Sequence, residues 1–193
     1  MNQRIVSFIF YVRGVIWAFT LGGAILLKHF LGGSTSMSLF ITGSVIVALM
    51  EIFRIYTAGY LRGKQPVAKI QAQYLCSSGP FAYLRNPLYV ANMIRGIGVC
   101  IAINEWYAYA LFIVINAWVF SIIIPYEEKF LEETFGEDYR QYQAATRRFI
   151  PRQRPYQTDT TVIPSYRASL LTELHTILFL GFLLAMTYIW FLK

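Results

Sequence analysis

Long apolar runs separated by short polar intervals set the pattern of this chain. A helix needs about 20 apolar residues to cross the hydrocarbon core of a bilayer. Runs of that kind lie at Ile5–Leu27, interrupted by Arg13, and at Ser38–Tyr60, which carries Glu51 and Arg54 towards its end. Three more follow: Leu88–Ile103, shorter and holding Arg95; Trp106–Ile124, stopped by Pro125; and Ser169–Leu192. They predict an all-α, polytopic membrane protein with about five transmembrane helices, folded as a single integral membrane domain over residues 1–193. The first run is too long for a secretory leader, and no A-x-A cleavage site follows it.

Two details of the pattern position polar groups. The runs ending at Ile103 and starting at Trp106 leave only a residue or two between them, so helices three and four form a tight antiparallel hairpin. Its far ends, Arg85–Tyr89 and Pro125–Glu128, therefore meet at one membrane surface. The stretch after Pro125, YEEKFLEETFGEDYRQYQAATRRF, is too charged to span, yet Leu131, Phe135, Tyr139 and Tyr142 recur at spacings of four, four and three. That is one apolar stripe of an amphipathic helix, which Gly136 ends or kinks. Extending the stripe one turn back puts Glu127 towards the protein and Glu128 nearer solvent, provided that Pro125 does not reset the register. The Pro-, Thr- and Arg-rich segment after Pro151 reads as a linker along the membrane surface, leading into the last spanning helix (152–193 together).

Charge fixes an orientation. Hydrophobic residues make up 56% of the chain and charged ones only 14%, at a net charge of +7. A soluble domain carries about 25% charged residues, so the deficit points to lipid as the solvent. The excess of positive charge then reflects retention of Lys and Arg on the cytoplasmic side, and no nucleic-acid partner is expected. The interval between helices two and three holds Arg62, Lys64, Lys69 and Arg85. That between helices four and five holds Lys129, Arg140, Arg147, Arg148, Arg152, Arg154 and Arg167. The opposite connections hold only Lys28 and the acidic Glu105. Both long basic loops, the amphipathic helix and the N-terminus are thus predicted to be cytoplasmic, with Lys193 outside; a bacterial-type inner membrane is the default location.

Ionisable groups within apolar runs are functional hints. Tyr89, Asn92 and Gly96 share a stripe of helix three with Arg95 beside it. This is either a polar face for substrate, with Asn92 and Arg95 as its binding residues, or an arginine that pairs with Glu51. Glu51 and Arg54, three apart, predict a local ion pair. Cys76, Cys100, His29 and His175 form no metal-ligand or disulfide pattern, and no metal is expected. RGIGVC lacks the third glycine and the preceding strand of a dinucleotide fingerprint, and no repeat is present.

The compact segment SGPFAYLRNPLY, followed some forty residues on by PYEEKFLEETFGEDYRQYQAATRRFIP, resembles the isoprenylcysteine carboxyl methyltransferase and phospholipid methyltransferase families. Their pattern runs G-P-[YF]-x-x-x-R-H-P-x-Y, E-E-x-x-L, F-G-x-x-Y-x-x-Y and R-[FL]-x-P. It falls here on Gly79, Pro80, Phe81, Arg85, Pro87, Tyr89, Glu127, Glu128, Leu131, Phe135, Gly136, Tyr139, Tyr142, Arg148 and Pro151, so that 75–151 resembles a methyltransferase core, while the first two helices (5–62) resemble the families only in being apolar and the fifth resembles an added or variable element. The departure is Asn86, where the family has His.

The resemblance implies methyl transfer from S-adenosylmethionine, with S-adenosylhomocysteine as product, to a lipid-like or prenylated acceptor entering from the bilayer between helices three, four and a neighbour. It implies Arg85, Asn86 and Glu127 as catalytic residues. A cofactor pocket would be built from Gly79, Pro80, Phe81, Arg85, Asn86, Pro87, Tyr89, Glu127, Glu128, Tyr139 and Arg148. The cofactor's carboxylate suits Arg85 or Arg148, its ammonium and ribose hydroxyls suit Glu127 and Glu128, and its sulfonium suits the aromatic faces. Asn at position 86 can hydrogen-bond but cannot titrate near neutral pH. An NADPH-dependent membrane reductase of the sterol type, or a non-catalytic protein on the same scaffold, are the alternatives that the sequence leaves open.

Overall fold

The computed structural model describes residues 3–62, 74–157 and 162–191. Six helices follow in order: α1 (Gln3–Leu31), α2 (Met37–Arg62), α3 (Pro87–Ile103), α4 (Trp106–Phe135), α5 (Glu137–Ala145) and α6 (Tyr166–Phe191), with a 3₁₀ turn at Gly79–Ala82 before α3. No strand occurs among the described residues, and the all-helical expectation holds. Among the described residues four stretches are long and apolar enough to cross a membrane, namely Val12–Leu31, Met37–Leu61, Trp106–Phe135 and Tyr166–Phe191. The predicted third span, α3, has 17 residues. At ~1.5 Å per residue it falls short of a ~30 Å hydrocarbon core. The side chain of Arg4, and all of Lys64, Lys69 and Lys193, lie outside the described residues.

The chain folds into two compact units. One comprises 1–50, 93–125 and 175–193, the other 51–92 and 126–174. In the first, Leu21, Ile25, Val47, Val99, Ile103, Phe112 and Leu183 form the core. Two residues separate α3 from α4 and Asn104 takes a positive φ of 59°, which closes the predicted hairpin. A Cβ on Gly96 would strike the Phe112 ring, so the glycine that leaves room on α3 admits a neighbouring helix and not a ligand. Arg95, 5% exposed, stacks its guanidinium over the Trp17 ring at 5.3 Å, and Trp17 donates its indole N–H to Asn116 Oδ1 at 2.7 Å. Outward-facing apolar residues such as Phe19, Val114 and Leu178 fit a lipid surround.

Lys28 departs from its expected place as an exposed loop charge. It is wholly buried at the end of α1, donating to Ser34 O (2.9 Å), Thr35 Oγ1 (2.6 Å) and Ile103 O, with Glu105 Oε1 at 3.4 Å. A buried ammonium is tolerable when its donors are satisfied and a carboxylate is near. It ties the α1–α2 turn to the α3–α4 turn.

In the second unit the end of α2, the 3₁₀ turn, the start of α3, the last turns of α4, α5 and the start of α6 pack together. The α4 helix differs from expectation here. It does not stop at Pro125 but runs through it to Phe135. A proline inside a spanning helix forfeits one backbone bond that surrounding structure can compensate. The break comes instead at Gly136, whose φ of +55° suits a residue without Cβ.

Candidate functional site

Glu128 is the centre of the second unit's charged cluster. Because α4 continues through Pro125, Glu128 falls one turn beyond the buried Ile124, and only 6% of it is exposed. This corrects the expected register, in which Glu127 faced inward and Glu128 outward. Positions three and four before Leu131 both lie on its face, and although the helix runs unbroken through Pro125, the former is the one buried. Glu127 is half-buried.

Two arginines converge on Glu128. Arg148 donates through Nε to both carboxylate oxygens at 3.0 Å and through Nη2 to Oε2 at 2.5 Å. Arg85 Nε stands 3.5 Å from Oε1, while its Nη1 donates to Gln143 O at 3.3 Å. The backbone brings the two arginines together: Arg85 N–H donates to Arg147 O (2.9 Å) and Asn86 N–H to Arg148 O (3.2 Å). The hydrogen bond to Glu128 raises the Arg148 pKa above its ordinary value. The bidentate fork is the geometry for which guanidinium and carboxylate are matched. The expected meeting of RNPLY with PYEE is therefore present, through Glu128.

The surrounding residues fix this cluster. Asn86 precedes α3, its carbonyl accepting the Tyr89 and Val90 N–H groups at 3.2 Å, and Pro87 takes the first helical position, where its missing N–H costs nothing. The side-chain Nδ2 of Asn86 is buried without a partner. Gly79 has a φ of +60°, and a Cβ there would lie 2.6 Å from the Tyr60 ring, so both backbone and space require glycine. Phe81 presents its carbonyl to the Tyr142 hydroxyl at 2.7 Å. Tyr139, 1% exposed, has its phenol pKa raised by burial and then by the Glu128 charge; burial does the same to Tyr142. Pro80 and Tyr89 are also buried.

The remaining predicted residues lie elsewhere. Asn92 accepts a hydrogen bond from Arg54 Nη1, and Arg54 donates to Glu173 Oε2 at 2.8 Å and stands 3.9 Å from Glu51. The predicted Glu51–Arg54 pair exists, in a larger cluster that includes Glu173. Sequence reasoning passed over Glu173, although a carboxylate within an apolar run is itself a signal. It also passed over Gln143, whose contribution is a backbone carbonyl and leaves no sequence signature. Arg95 belongs to the other unit.

Comparison with known proteins bears on what such a cluster serves. Over 119 residues the chain is 28% identical to the cobalt-zinc-cadmium resistance protein CzcN of Cupriavidus metallidurans, covering 62% of this chain and 52% of that one. It is 24% identical over 128 residues to the nickel-cobalt-cadmium resistance protein NccN of Alcaligenes xylosoxydans xylosoxydans, covering 66% and 57%. The chain thus spans about half the length of these curated relatives. No solved structure matches it. The sequence pattern of the phospholipid methyltransferases matches residues 27–138, more than half of the chain and inclusive of Arg85 and Glu128. An all-helical membrane chain whose family pattern takes in both partners of its buried Arg85–Glu128 pair belongs, on that match, to the phospholipid methyltransferase family.

Proposed function

We propose that the protein transfers a methyl group from S-adenosylmethionine to the polar head of a lipid-like acceptor at the membrane surface, and that the second unit holds the cofactor. The observation that carries this reading is the composition of the buried cluster: two guanidiniums converge on a single carboxylate, leaving one positive charge for an incoming anion. The cofactor's carboxylate is such an anion. Arg148, whose side chain is 46% exposed, is placed to take it, with Arg85 fixed behind by Glu128 and Gln143. The unpartnered Asn86 Nδ2 supplies a further donor. Glu127, half-buried on the same turn of α4 as Glu128, is assigned to the ammonium as a second carboxylate beside the cluster. Tyr89 and Phe81 provide aromatic surface for the adenosine and sulfonium, and Tyr139 backs Glu128.

The sulfonium supplies an activated methyl and its own leaving group. The chain's task is to align the acceptor and exclude water, which requires no covalent participation. Asn86 neither accepts nor releases a proton near neutral pH. A carboxylate acceptor needs no base, and an amine acceptor must arrive unprotonated. Among the described residues no three His, Cys, Asp or Glu side chains group so as to hold a metal ion. The reading joins the Arg85–Glu128–Arg148 cluster to the family match over residues 27–138. Titration of the purified chain in detergent with S-adenosylhomocysteine tests it, with NADPH as comparison. Binding at millimolar concentration or tighter is expected; stabilisation by NADPH alone overturns the reading.

A further inference from the structure

The segment that delivers Arg85 to the charged cluster also forms one wall of a cavity of about 580 Å³, within the ~300–1,000 Å³ range of small-molecule sites. Phe53 and Tyr56 of α2, with Pro151 and Pro155, complete the lining. What distinguishes it is how few polar groups it offers. Tyr83 and Leu84 N–H donate to Pro80 O at 3.1 and 3.3 Å; Ala82 O and Tyr83 O accept from Tyr156 and Arg152 N–H at 2.8 and 2.9 Å. Pro80, Pro151 and Pro155 have no N–H, and the Tyr56 hydroxyl pairs with that of Tyr60 at 3.2 Å. A nucleoside or amino acid entering here would recover few of the hydrogen bonds that it gives up to water, the Tyr83 hydroxyl being the one side-chain group left to meet it. A hydrocarbon chain would lose nothing and would bury apolar area.

The surroundings say which hydrocarbon. Tyr56 and Tyr83 are exposed, and so is Ile52 beside them on α2, inside the span Met37–Leu61. The cavity is therefore continuous with a lipid-facing surface, at a level marked by tyrosines as membrane–water interfaces are. Leu84 lines the cavity and the next residue, Arg85, enters the cluster. Pro151 lines it three residues after Arg148. Apolar and charged surfaces are thus built on the same two segments, as an amphiphile requires.

We propose that this cavity seats the hydrocarbon chain of the methyl acceptor, a membrane amphiphile whose polar head then lies beside the Arg85–Glu128–Arg148 cluster, whose spare positive charge stays with the cofactor's carboxylate. The inference rests on the methyltransferase reading, and it moves Gly79 and Pro80 from the cofactor to the acceptor and the acceptor's entry from the α3–α4 side to α2.

The test uses the full chain in nanodiscs with palmitic acid carrying a photoreactive diazirine, followed by mapping of the labelled peptides. Labelling around Phe53–Tyr56 and Pro80–Leu84 is expected to saturate, to be displaced by unlabelled palmitate, and to persist with S-adenosylhomocysteine bound. Tyr83→Trp and Pro155→Trp, two independent fillings from exposed positions, should each lower it about tenfold (~1.4 kcal/mol). Labelling around the lipid-facing Val114 should neither saturate nor change. Non-saturable labelling of the cavity, displacement by S-adenosylhomocysteine, or no effect of either folded variant overturns the proposal. Binding of S-adenosylhomocysteine, measured on the same samples, separates the two levels. Its absence removes the methyltransferase reading, whereas its presence without saturable labelling removes only the assignment of the cavity.

Discussion

Replacing Glu128 by Gln removes the charge on which two arginines converge, at nearly constant volume. The carboxylate is 6% exposed and is held by Arg148 at 2.5–3.0 Å and by Arg85 at 3.5 Å. Removing one partner of a buried pair costs ~3–5 kcal/mol because the other charge is left uncompensated. Arg148, at 46% side-chain exposure, can return to water, and its share is nearer the ~0–1 kcal/mol of a surface pair. Arg85, at 11%, cannot, and carries most of the loss. Gln retains one acceptor oxygen, so about 2–4 kcal/mol is expected in all. At roughly 2–4 °C per kcal/mol for a chain of this size, the unfolding midpoint in detergent should fall about 5–15 °C. Glu127→Gln, at a half-buried position, is the matched control and should cost less than Glu128→Gln. A double-mutant cycle should give Glu128 and Arg85 a coupling of ~0.5–3 kcal/mol. Equal losses for Glu127→Gln and Glu128→Gln would refute the assignment of Glu128 as the buried partner.

Further expectations follow from single positions. Gly79→Ala meets both a positive φ and the Tyr60 ring and should destabilise the chain by ~1–3 kcal/mol, read as a lower unfolding midpoint; an unchanged midpoint would mean that the turn relaxes freely. Burial pushes the Cys76 thiol from 9.0 up to about 12. Its contribution to stability is therefore full below about pH 9 and is lost as pH rises towards 12, because the unfolded chain deprotonates first. Cys76→Ala should flatten that alkaline decline, and the native thiol should resist iodoacetamide at mildly alkaline pH until the chain unfolds. At saturating cofactor, Asn86→His should leave the pH dependence of kcat unchanged. A new inflection near the ~6.5 of an ordinary histidine would show that position 86 can take part in proton transfer.

The helices were legible because lipid imposes long apolar runs, and the α3–α4 hairpin because two residues allow no other connection. The hairpin in turn foretold that RNPLY meets PYEE. Which glutamate makes the contact was not legible. Offsets of three and four share a helix face, and the choice between them depended on where Arg85 and Arg148, remote in sequence, come to lie against α4. Arg95 and Gly96 were read as a polar opening, yet Trp17 and Phe112, remote in sequence, fill that surface. Lys28 counted as a loop charge by position, whereas its burial depends on carbonyls contributed by the α1–α2 turn and by the end of α3. Residues whose roles depend on distant partners escape a reading of local pattern.

The central claim, that this chain moves methyl groups to a membrane amphiphile, is met most directly by incubating the purified protein with total membrane lipid and methyl-labelled S-adenosylmethionine. The expected result is label in the lipid fraction, lost in both Glu128→Gln and Glu127→Met, with the larger loss of stability in Glu128→Gln. A wild-type chain that binds neither S-adenosylmethionine nor S-adenosylhomocysteine, and transfers no label to any lipid, would contradict it.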